Sequence, residues 1–386
     1  MRYLYQLTEW PHFRWKSDEL EDVLSESSFR LGRFLGRLAD IGFELRNEAG
    51  LEALSSEILE SARIEGETLN RADVRSSVAR RMEIVLKERA APPSRETESR
   101  VDMMMDATRN WAAPMTRERL FSWHAALFPT GWSGMRRIRV GAFRTDEEGP
   151  MQVVSRHGAL ERVHFEAPPA PRIPAETDAL LAWLDGGADA SPPLVRAAVA
   201  HLWFLTLHPF DDGNGRLARA LVEWLLARAE RSGLRFYSLS ARIQKEKEDY
   251  YGEIQRAQRG TMDATRWIRW FAGCHSRALE DAEAQLSSIF RKAAFWRRHA
   301  DAGFNEGQRA MLNRLLDGFT GNLTSTKWAK IRKVSQDTAT REINDLLARG
   351  VLVRRGRARA THYELAPDSA TPSPAAEETH AESADP

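Results

Sequence analysis

Residues 208 to 219 read His-Pro-Phe-Asp-Asp-Gly-Asn-Gly-Arg-Leu-Ala-Arg, a short stretch with the groups needed to hold a polyphosphate and move a proton beside it. A glycine-bearing turn that opens a helix presents unpaired backbone N–H groups to an anion, and the helix dipole adds to that field. Gly213 and Gly215 let the backbone approach a phosphate closely. Arg216 and Arg219 fall three apart on the first turn of the new helix, so both guanidiniums reach the same side. Asp212 stands just before the turn, where a carboxylate could hold Mg²⁺ against phosphate oxygens. His208 precedes a proline that fixes the chain direction, and an imidazole has the ordinary pKa for general-base work near neutrality. The lysine-bearing phosphate loop Gly-x-x-x-x-Gly-Lys does not occur in the chain. His201, seven residues earlier on the same helical stripe, invites a two-histidine metal site, but a half-buried core histidine is the better expectation.

The segment must be positioned by helices, because helical periodicity dominates the chain. From Leu20 the apolar positions Val23, Leu24, Leu31, Phe34, Leu35, Leu38, Ile41 and Leu45 follow one helix face, with a break expected at Asn47 to Gly50. A second helix is expected from Leu51 through Leu54, Ile58 and Ala62 to Glu65, and further ones over Val74 to Leu86 and Glu98 to Trp111. Ile138-Arg-Val140, Met151 to Val154 and Arg162 to Phe165 read as a small hairpin rather than a sheet able to stand alone. Prolines at 168, 169, 171 and 174 end it and lead into a helix from Ala175 to Leu184. The chemistry-bearing segment is framed by a helix ending near Leu207 and one starting near Asn214.

The bulk properties agree with a mainly α protein of two or three domains. The chain has 386 residues, 42% hydrophobic and 29% charged, with a mean hydropathy of −0.50. Its net charge of +1 excludes a polycation, so nucleic-acid binding would need a local patch. One cysteine, Cys274, excludes an intramolecular disulfide and a thiolate zinc cage. The first residues lack the apolar stretch of a signal peptide, and the tract from Ala197 to Leu207 is too short to span a bilayer. The reading is a cytoplasmic protein with no membrane partner.

The residues His208-Pro-Phe-x-Asp212-Gly-Asn-Gly-Arg216-x-x-Arg219 meet every defined position of the signature His-x-Phe-x-(Asp/Glu)-Gly-Asn-Gly-Arg-x-x-Arg, so the chain resembles the Fic proteins over roughly residues 90 to 295. The resemblance implies a Fic-type helical core with a β-hairpin flap and transfer of AMP from ATP to a Ser, Thr or Tyr hydroxyl of a target protein. It implies His208 as general base and Asp212 holding Mg²⁺ between the α- and β-phosphates. The amides of Gly213 to Gly215 would form the anion hole, with Asn214 orienting the α-phosphate. Arg216 and Arg219 would take the β- and γ-phosphates. By position, Tyr251, Gln255 and Gln258 match family residues near the adenine, although a solvated face with one packed tyrosine is nearly as good a reading of that stripe. Met151, Val153 and Val154 would belong to the target-docking flap. Homodimerisation is expected from family habit alone.

Ser61-Ala-Arg-Ile-Glu65-Gly66 is similar to the Fic inhibitory motif (Ser/Thr)-x-x-x-Glu-(Gly/Asn). Ser61 and Glu65 are i and i+4 on one helix face, and Gly66 can end the helix there. The resemblance implies that Glu65 pairs with Arg219 and competes with the γ-phosphate. The residues before Glu65, beginning with Tyr3 to Phe13, resemble the helical extension that often precedes Fic cores, and their aromatic, Trp-Pro start could form an ordered strap across the core.

Residues 308 to 364 read helix, helix, turn, helix, hairpin and resemble a winged helix-turn-helix. Trp328 to Lys333 is a short helix, Val334 to Gln336 the turn, and Asp337 or Ser335 the cap of a helix stopped by Gly350. Between 327 and 359 ten basic and three acidic residues leave a local charge of +7. That suits phosphate contacts in duplex DNA, with Gln336, Thr338, Thr340 and Arg341 facing the groove; a dimerisation or target-docking module is the equal alternative. The domain reading is 1–89 helical extension with the inhibitory helix, 90–298 catalytic core, 304–366 winged helix-turn-helix and 367–386 acidic disordered tail. The leading function is an autoinhibited protein adenylyltransferase that also modifies itself. The rivals are a DNA-binding regulator using the core as a nucleotide-sensing or dimerisation platform, and a Fic enzyme with another donor or AMP-removing activity.

Overall fold

The computed structural model describes residues 2–39, 41–86, 92–157, 160–186, 191–319, 321–357 and 360–367, without side chains at 155–157, 160 and 161. The expected disordered tail beyond residue 367, and Arg359 of the basic run, lie outside the described residues. The fold is mainly α, with three two-stranded antiparallel sheets among the described residues. It divides into two compact units, Met1–Leu286 and Ser287–Pro386.

In the first unit the centre is formed by α7 (Pro193–Leu207) and α8 (Asn214–Glu230), where almost every side chain is buried, including Phe204, Leu207, Leu217, Leu221 and Trp224. α7 is apolar all round, which is the pattern of a helix enclosed by neighbours. It packs on α6 (Ile173–Asp185) and α11 (Thr265–Gln285), and α8 packs on α4 (Arg95–Arg109). Trp267 of α11 donates its indole N–H to the Ala198 carbonyl of α7 at 2.6 Å, so the largest ring in that layer is polar-satisfied as well as buried. α1 (Ser17–Ala39) lies along α11, while α2 (Phe43–Ile64) lies against α3 (Arg71–Arg81), α9 (Leu239–Lys245) and α8. α5 (Arg117–Leu127) completes the α4 side, and α10 (Lys247–Gln258) packs on α7 and α11.

Several expected boundaries move. The first long helix breaks at Gly42, which caps α2, and not at Asn47 to Gly50, which lie inside α2. Gly50 faces Met82, Leu234 and the Arg235 carbonyl, which a Cβ there would meet at an ordinary contact distance of 3.5–3.8 Å. α3 stops at Arg81 rather than Leu86, with Glu83 at φ +58 turning the chain. Ile138 to Val140 is not a strand; the short pair is β1 (Trp132–Ser133) with β2 (Arg136–Arg137), and Ile138 is a buried anchor behind it. The flap pairs β3 (Gln152–His157) with β4 (Leu160–Glu166), with a register shift between Val153 and Val154. The strap expectation on the N-terminal aromatics has a counterpart in Tyr5, which packs with Phe165 and Ala167 at the base of the flap, joined by Tyr3 and Trp10.

The second unit contains α12 (Ser287–Arg298), α13 (Glu306–Leu316), α14 (Ser325–Arg332), α15 (Gln336–Ala348) and the pair β5 (Leu352–Arg355) with β6 (His362–Leu365). Its own core is built on Trp328, Leu312, Ile343, Leu346 and Val351. Ser335 is the cap of α15, accepting the Thr338 N–H at 3.2 Å, and Gly350 leaves the helix at φ +67. Trp328 donates to the buried Glu342 carboxylate at 2.6 Å, which ties α14 to α15.

Candidate active site

The turn between α7 and α8 is shaped by backbone conformations that few sequences permit. His208 ends α7 in the left-handed region (φ +49), with its N–H on the Phe204 carbonyl at 3.0 Å. Asn214 then clamps the turn from both sides: its Oδ1 accepts from the Phe210 N–H at 3.0 Å and its Nδ2 donates to the Phe210 carbonyl at 2.8 Å. Gly213 opens α8 at φ +80, and a Cβ there would sit 2.8 Å from the Phe128 ring, so only glycine fits. The first N–H groups of α8 are thereby aimed at one spot. Asp212 accepts hydrogen bonds from the Gly213 N–H and the Ser133 hydroxyl of β1, and its carboxylate lies 3.6 Å from Arg216.

His208 is held as a neutral imidazole. Burial and the nearby charge of Arg144 lower its pKa to about 4, outweighing the Leu205 carbonyl, Asp212 and Glu65. Nδ1 lies 3.4 Å from the Leu205 carbonyl, which can only accept, so the tautomer with hydrogen on Nδ1 leaves the Nε2 lone pair free for a proton. Arg144, which sequence reasoning did not single out, is buried and fixes this corner. It donates from Nε to the His208 carbonyl at 2.7 Å and from Nη2 to Pro168 at 2.5 Å, while its own N–H reaches Pro209 at 3.0 Å. His124 was missed too. It is fully buried, stacks on Phe210 at 4.2 Å, and burial lowers its pKa to about 4. Neither carried a sequence signal, since each sits far from the motif in the chain. His201 is more enclosed than the half-buried expectation: it is fully buried, bonds Tyr250 at 2.8 Å, and burial takes its pKa to about 3.

Over the opening of α8 lies the tip of α2. Glu65 caps that helix, Gly66 turns at φ +81, and the bonds Gly66 N–H to Arg63 and Glu67 N–H to Ala62 close it at 3.0 and 3.1 Å. The Glu65 carboxylate accepts from Arg219 Nη2 at 2.8 Å. Arg219 also donates to the Ser61 hydroxyl and carbonyl, each at 2.9 Å. Burial alone would lower the Arg219 pKa, but the charge and hydrogen bond of Glu65 together with Tyr250 and Tyr251 outweigh it and hold the guanidinium charged. A Cβ on Gly215 would lie 2.1 Å from the Glu65 oxygen, so the carboxylate occupies the anion-binding face of the α8 N-terminus. Arg219 Nη1 and Arg216 Nε are buried with no acceptor among the described residues, a donor set that fits an anionic group.

Beside this lies a cavity of about 530 Å³, the size of a nucleotide-class ligand site. Of the expected site residues, His208, Gly215, Glu65, Tyr251, Gln255, Gln258, Val153 and Val154 line it. Asp212, Gly213, Asn214, Arg216, Arg219, Ser61 and Met151 are not on its wall. Met151 packs instead with the aromatic cluster at the flap base. The three α10 residues are already engaged: Tyr251 donates to the Ile64 carbonyl at 3.3 Å, Gln255 to the His164 carbonyl at 3.4 Å, and Gln258 to the Leu205 carbonyl at 3.2 Å. Arg259 adds a 2.6 Å bond to His164, so the flap bulge is pinned to α10. No cluster of three or more metal-ligating side chains gathers among the described residues. Nor is any helix there long and apolar enough to cross a membrane.

Comparison with known proteins agrees with this geometry. The Fic/DOC family model matches residues 114–226, and a domain of unknown function (DUF4172) matches residues 3–84. The chain is 34% identical over 130 residues to a Protein adenylyltransferase Fic of Nematostella vectensis, covering 33% of this chain and 28% of that protein. With a Protein adenylyltransferase Fic of Culex quinquefasciatus it shares 33% identity over 115 residues, covering 28% and 21%. The chain thus spans between a fifth and a third of the length of these curated relatives. A crystal structure of a Fic family protein from Desulfovibrio desulfuricans G20 shares the fold, with a TM-score of 0.55 at 22% identity over 91% of this chain and 97% of that one. The turn that closes α7 and the clamp of Asn214 lie within the stretch, residues 114–226, that matches the Fic/DOC family model.

Proposed function

We propose that this protein is an autoinhibited adenylyltransferase that moves AMP from ATP to a Ser, Thr or Tyr hydroxyl of a target protein and of itself. The observation that carries the reading is the Glu65 carboxylate seated on Arg219 at the α8 N-terminus, directly beside a neutral His208 and an open cavity. The target oxygen attacks the α-phosphorus, its proton passes to His208 Nε2, and the bond from the α-phosphorus to the bridging oxygen breaks to release pyrophosphate. Catalysis of this type rests on placement and charge stabilisation. The amides of Gly213 to Gly215 receive the α-phosphate charge, and Arg216 and Arg219 receive the tail. Asn214 acts by holding the turn, since both ends of its amide serve Phe210. Mg²⁺ takes one or two carboxylates plus phosphate oxygens, and the half-exposed Asp212 carboxylate fits that need; when bound, the ion neutralises charge on the phosphates. The flap edge, where Val153 and Val163 are partly exposed, would pair with the target backbone.

In this reading Glu65 brakes the enzyme by denying Arg219 to the γ-phosphate, which leaves the α-phosphate turned away from in-line attack. The test is incubation with ATP labelled in the α-phosphate, followed by intact-mass measurement. Glu65→Gly should gain label at a mass increment of one AMP, and His208→Ala should gain none. Equal, low labelling of wild type and folded Glu65→Gly would reject the brake. A different mass increment would reject AMP as the group transferred.

A second reading concerns the other unit alone. The order of α13, α14, α15 and the β5–β6 hairpin supports a winged helix-turn-helix, and Lys327, Lys330, Lys333, Arg341, Arg354, Arg355 and Arg357 are all exposed on it. Gln336 and Thr340 are exposed along the same helix as Arg341. That surface suits the phosphates of duplex DNA. Retention of a duplex in a gel at low salt, lost steeply as salt rises, is expected; no retention at low ionic strength would remove this reading.

A further inference from the structure

The second residue of the α2 exit, Glu67, does for Arg216 what Glu65 does for Arg219. Arg216 Nη1 donates to Glu67 Oε1 at 2.6 Å. The other oxygen of Glu67 is held by the buried Arg100 of α4, which also reaches Glu96 at 2.5 Å. The remaining ways to approach Arg216 are few. Its guanidinium lies over the Phe128 ring at 5.0 Å, Nη2 faces Asp212 at 3.6 Å, and Nε is buried. A phosphate group that takes two parallel bonds from Arg216, one to each of two oxygens, must therefore displace the Glu67 carboxylate.

The spacing explains why one turn can serve both arginines. Glu65 and Glu67 flank Gly66, whose positive φ reverses the chain, and Arg216 and Arg219 stand one turn apart on α8. Each carboxylate meets one guanidinium and leaves the other alone. Arg100 offers Glu67 a second cation, so the carboxylate can leave Arg216 without being stranded unpaired.

We propose that Glu67 is a nucleotide-specificity residue: it competes with the β-phosphate for Arg216, separately from the competition of Glu65 with the γ-phosphate for Arg219. This rests on the adenylyltransferase reading for the order of the phosphates along the arginine pair. It has a consequence that a merely structural glutamate lacks. Removing Glu65 improves the binding of a triphosphate only, whereas removing Glu67 improves the binding of diphosphate and triphosphate alike. Neither changes the binding of a monophosphate. A single Glu65 substitution also leaves Arg216 covered, so its activation is incomplete.

The experiment is calorimetric titration of the full chain with ATP, ADP and AMP in the presence of Mg²⁺, for wild type, Glu65→Gly, Glu67→Gln and the double variant. Transfer of label from ATP is measured in parallel. Glu67→Gln is expected to tighten ADP and ATP by roughly five- to ten-fold with AMP unchanged. Glu65→Gly should tighten ATP alone, and the double variant should label faster than Glu65→Gly. If Glu67→Gln binds ADP as wild type does, or tightens AMP equally, the proposal is overturned. Melting temperature checks the fold, and Glu67→Ala replaces Glu67→Gln if the latter unfolds. The expected affinity pattern without any transfer would reject the adenylyltransferase reading and keep the role of Glu67. Transfer with no change in ADP affinity would do the reverse.

Discussion

The two ends of α8 use the same chemistry to different ends. At its start Arg216 and Arg219 have side chains only 4% and 2% exposed, but their partners Glu67 and Glu65 are 33% and 30% exposed. At its far end Glu223 and Glu230 grip Arg235 at 2.9 and 2.7 Å, with 1%, 5% and 2% of those side chains exposed. Tyr237 closes that far cluster, donating to Glu230 at 2.6 Å, and His275 at 2.9 Å links it on to Ser27 at 2.8 Å. A carboxylate with one side in water can swing out and be solvated, so a ligand phosphate can replace it. A carboxylate closed in on all sides has nowhere to go, and losing its partner strands a charge. The near pairs are exchangeable and the far ones are fixed.

The largest effect should come from the base that works beside the exchangeable end. His208→Ala is expected to lower transfer by about 10²–10⁴-fold while the melting temperatures show both ends intact. With His208 as the proposed proton acceptor in its neutral form and its pKa lowered to about 4, kcat/KM should stay level from pH 7 to pH 5. An imidazole of ordinary pKa would lose about thirty-fold over that range, and such a loss would show that burial does not hold His208 neutral.

Arg235→Met tests the fixed end. Removing the cation shared by buried Glu230 and Glu223, the latter with its pKa raised by burial to about 8, should cost about 3–5 kcal/mol in urea unfolding, with saturating ATP unable to restore the difference. A loss below about 1 kcal/mol would erase the distinction between the two ends. Glu65→Gly is the counterpart. It leaves Arg219 with Ser61 alone and should cost about 1–2 kcal/mol, which ATP at a hundred times its Kd recovers because it supplies the missing anion. If ATP stabilises wild type and Glu65→Gly equally, the near pair is not exchanged for phosphate. The smallest effect is expected at Arg63, which pairs with Glu60 on the outer face of α2. Arg63→Ala should shift stability by no more than about 0.5 kcal/mol and leave labelling unchanged.

Much of this was readable in advance because it is local. The Gly-Asn-Gly turn, the helix beginning at Asn214 and the i, i+4 placement of Ser61 and Glu65 depend on residues within one or two turns of each other. Where the structure departs from the pattern in the sequence, the reason is physical as well. Gly50 looks like a helix breaker by propensity, yet α2 passes through it because the buried face on either side, Ala49, Leu51 and Leu54, outweighs that local cost. Ile138 to Val140 has the residues of a strand, but the β1–β2 pairing continues only to the Ile138 N–H, which bonds the Gly131 carbonyl at 3.1 Å, before the Arg139 N–H turns to the Asp211 carboxylate at 2.8 Å. Gln255 and Gln258 face the cavity as their helical stripe implies, but their amides are used to hold the flap and α7.

From the linear chain alone came the Gly-Asn-Gly turn, the His208 imidazole beside it and the Glu65 carboxylate at the end of α2, since each depends on backbone geometry and side-chain chemistry within a short span. The folded arrangement decided which carboxylate meets which guanidinium, that Arg144 and His124 brace the catalytic corner, and that Glu67 covers Arg216 from 149 positions away. Contacts at such separations follow from how helices stack around α7 and α8, and packing of that kind leaves no periodic trace in the order of residues.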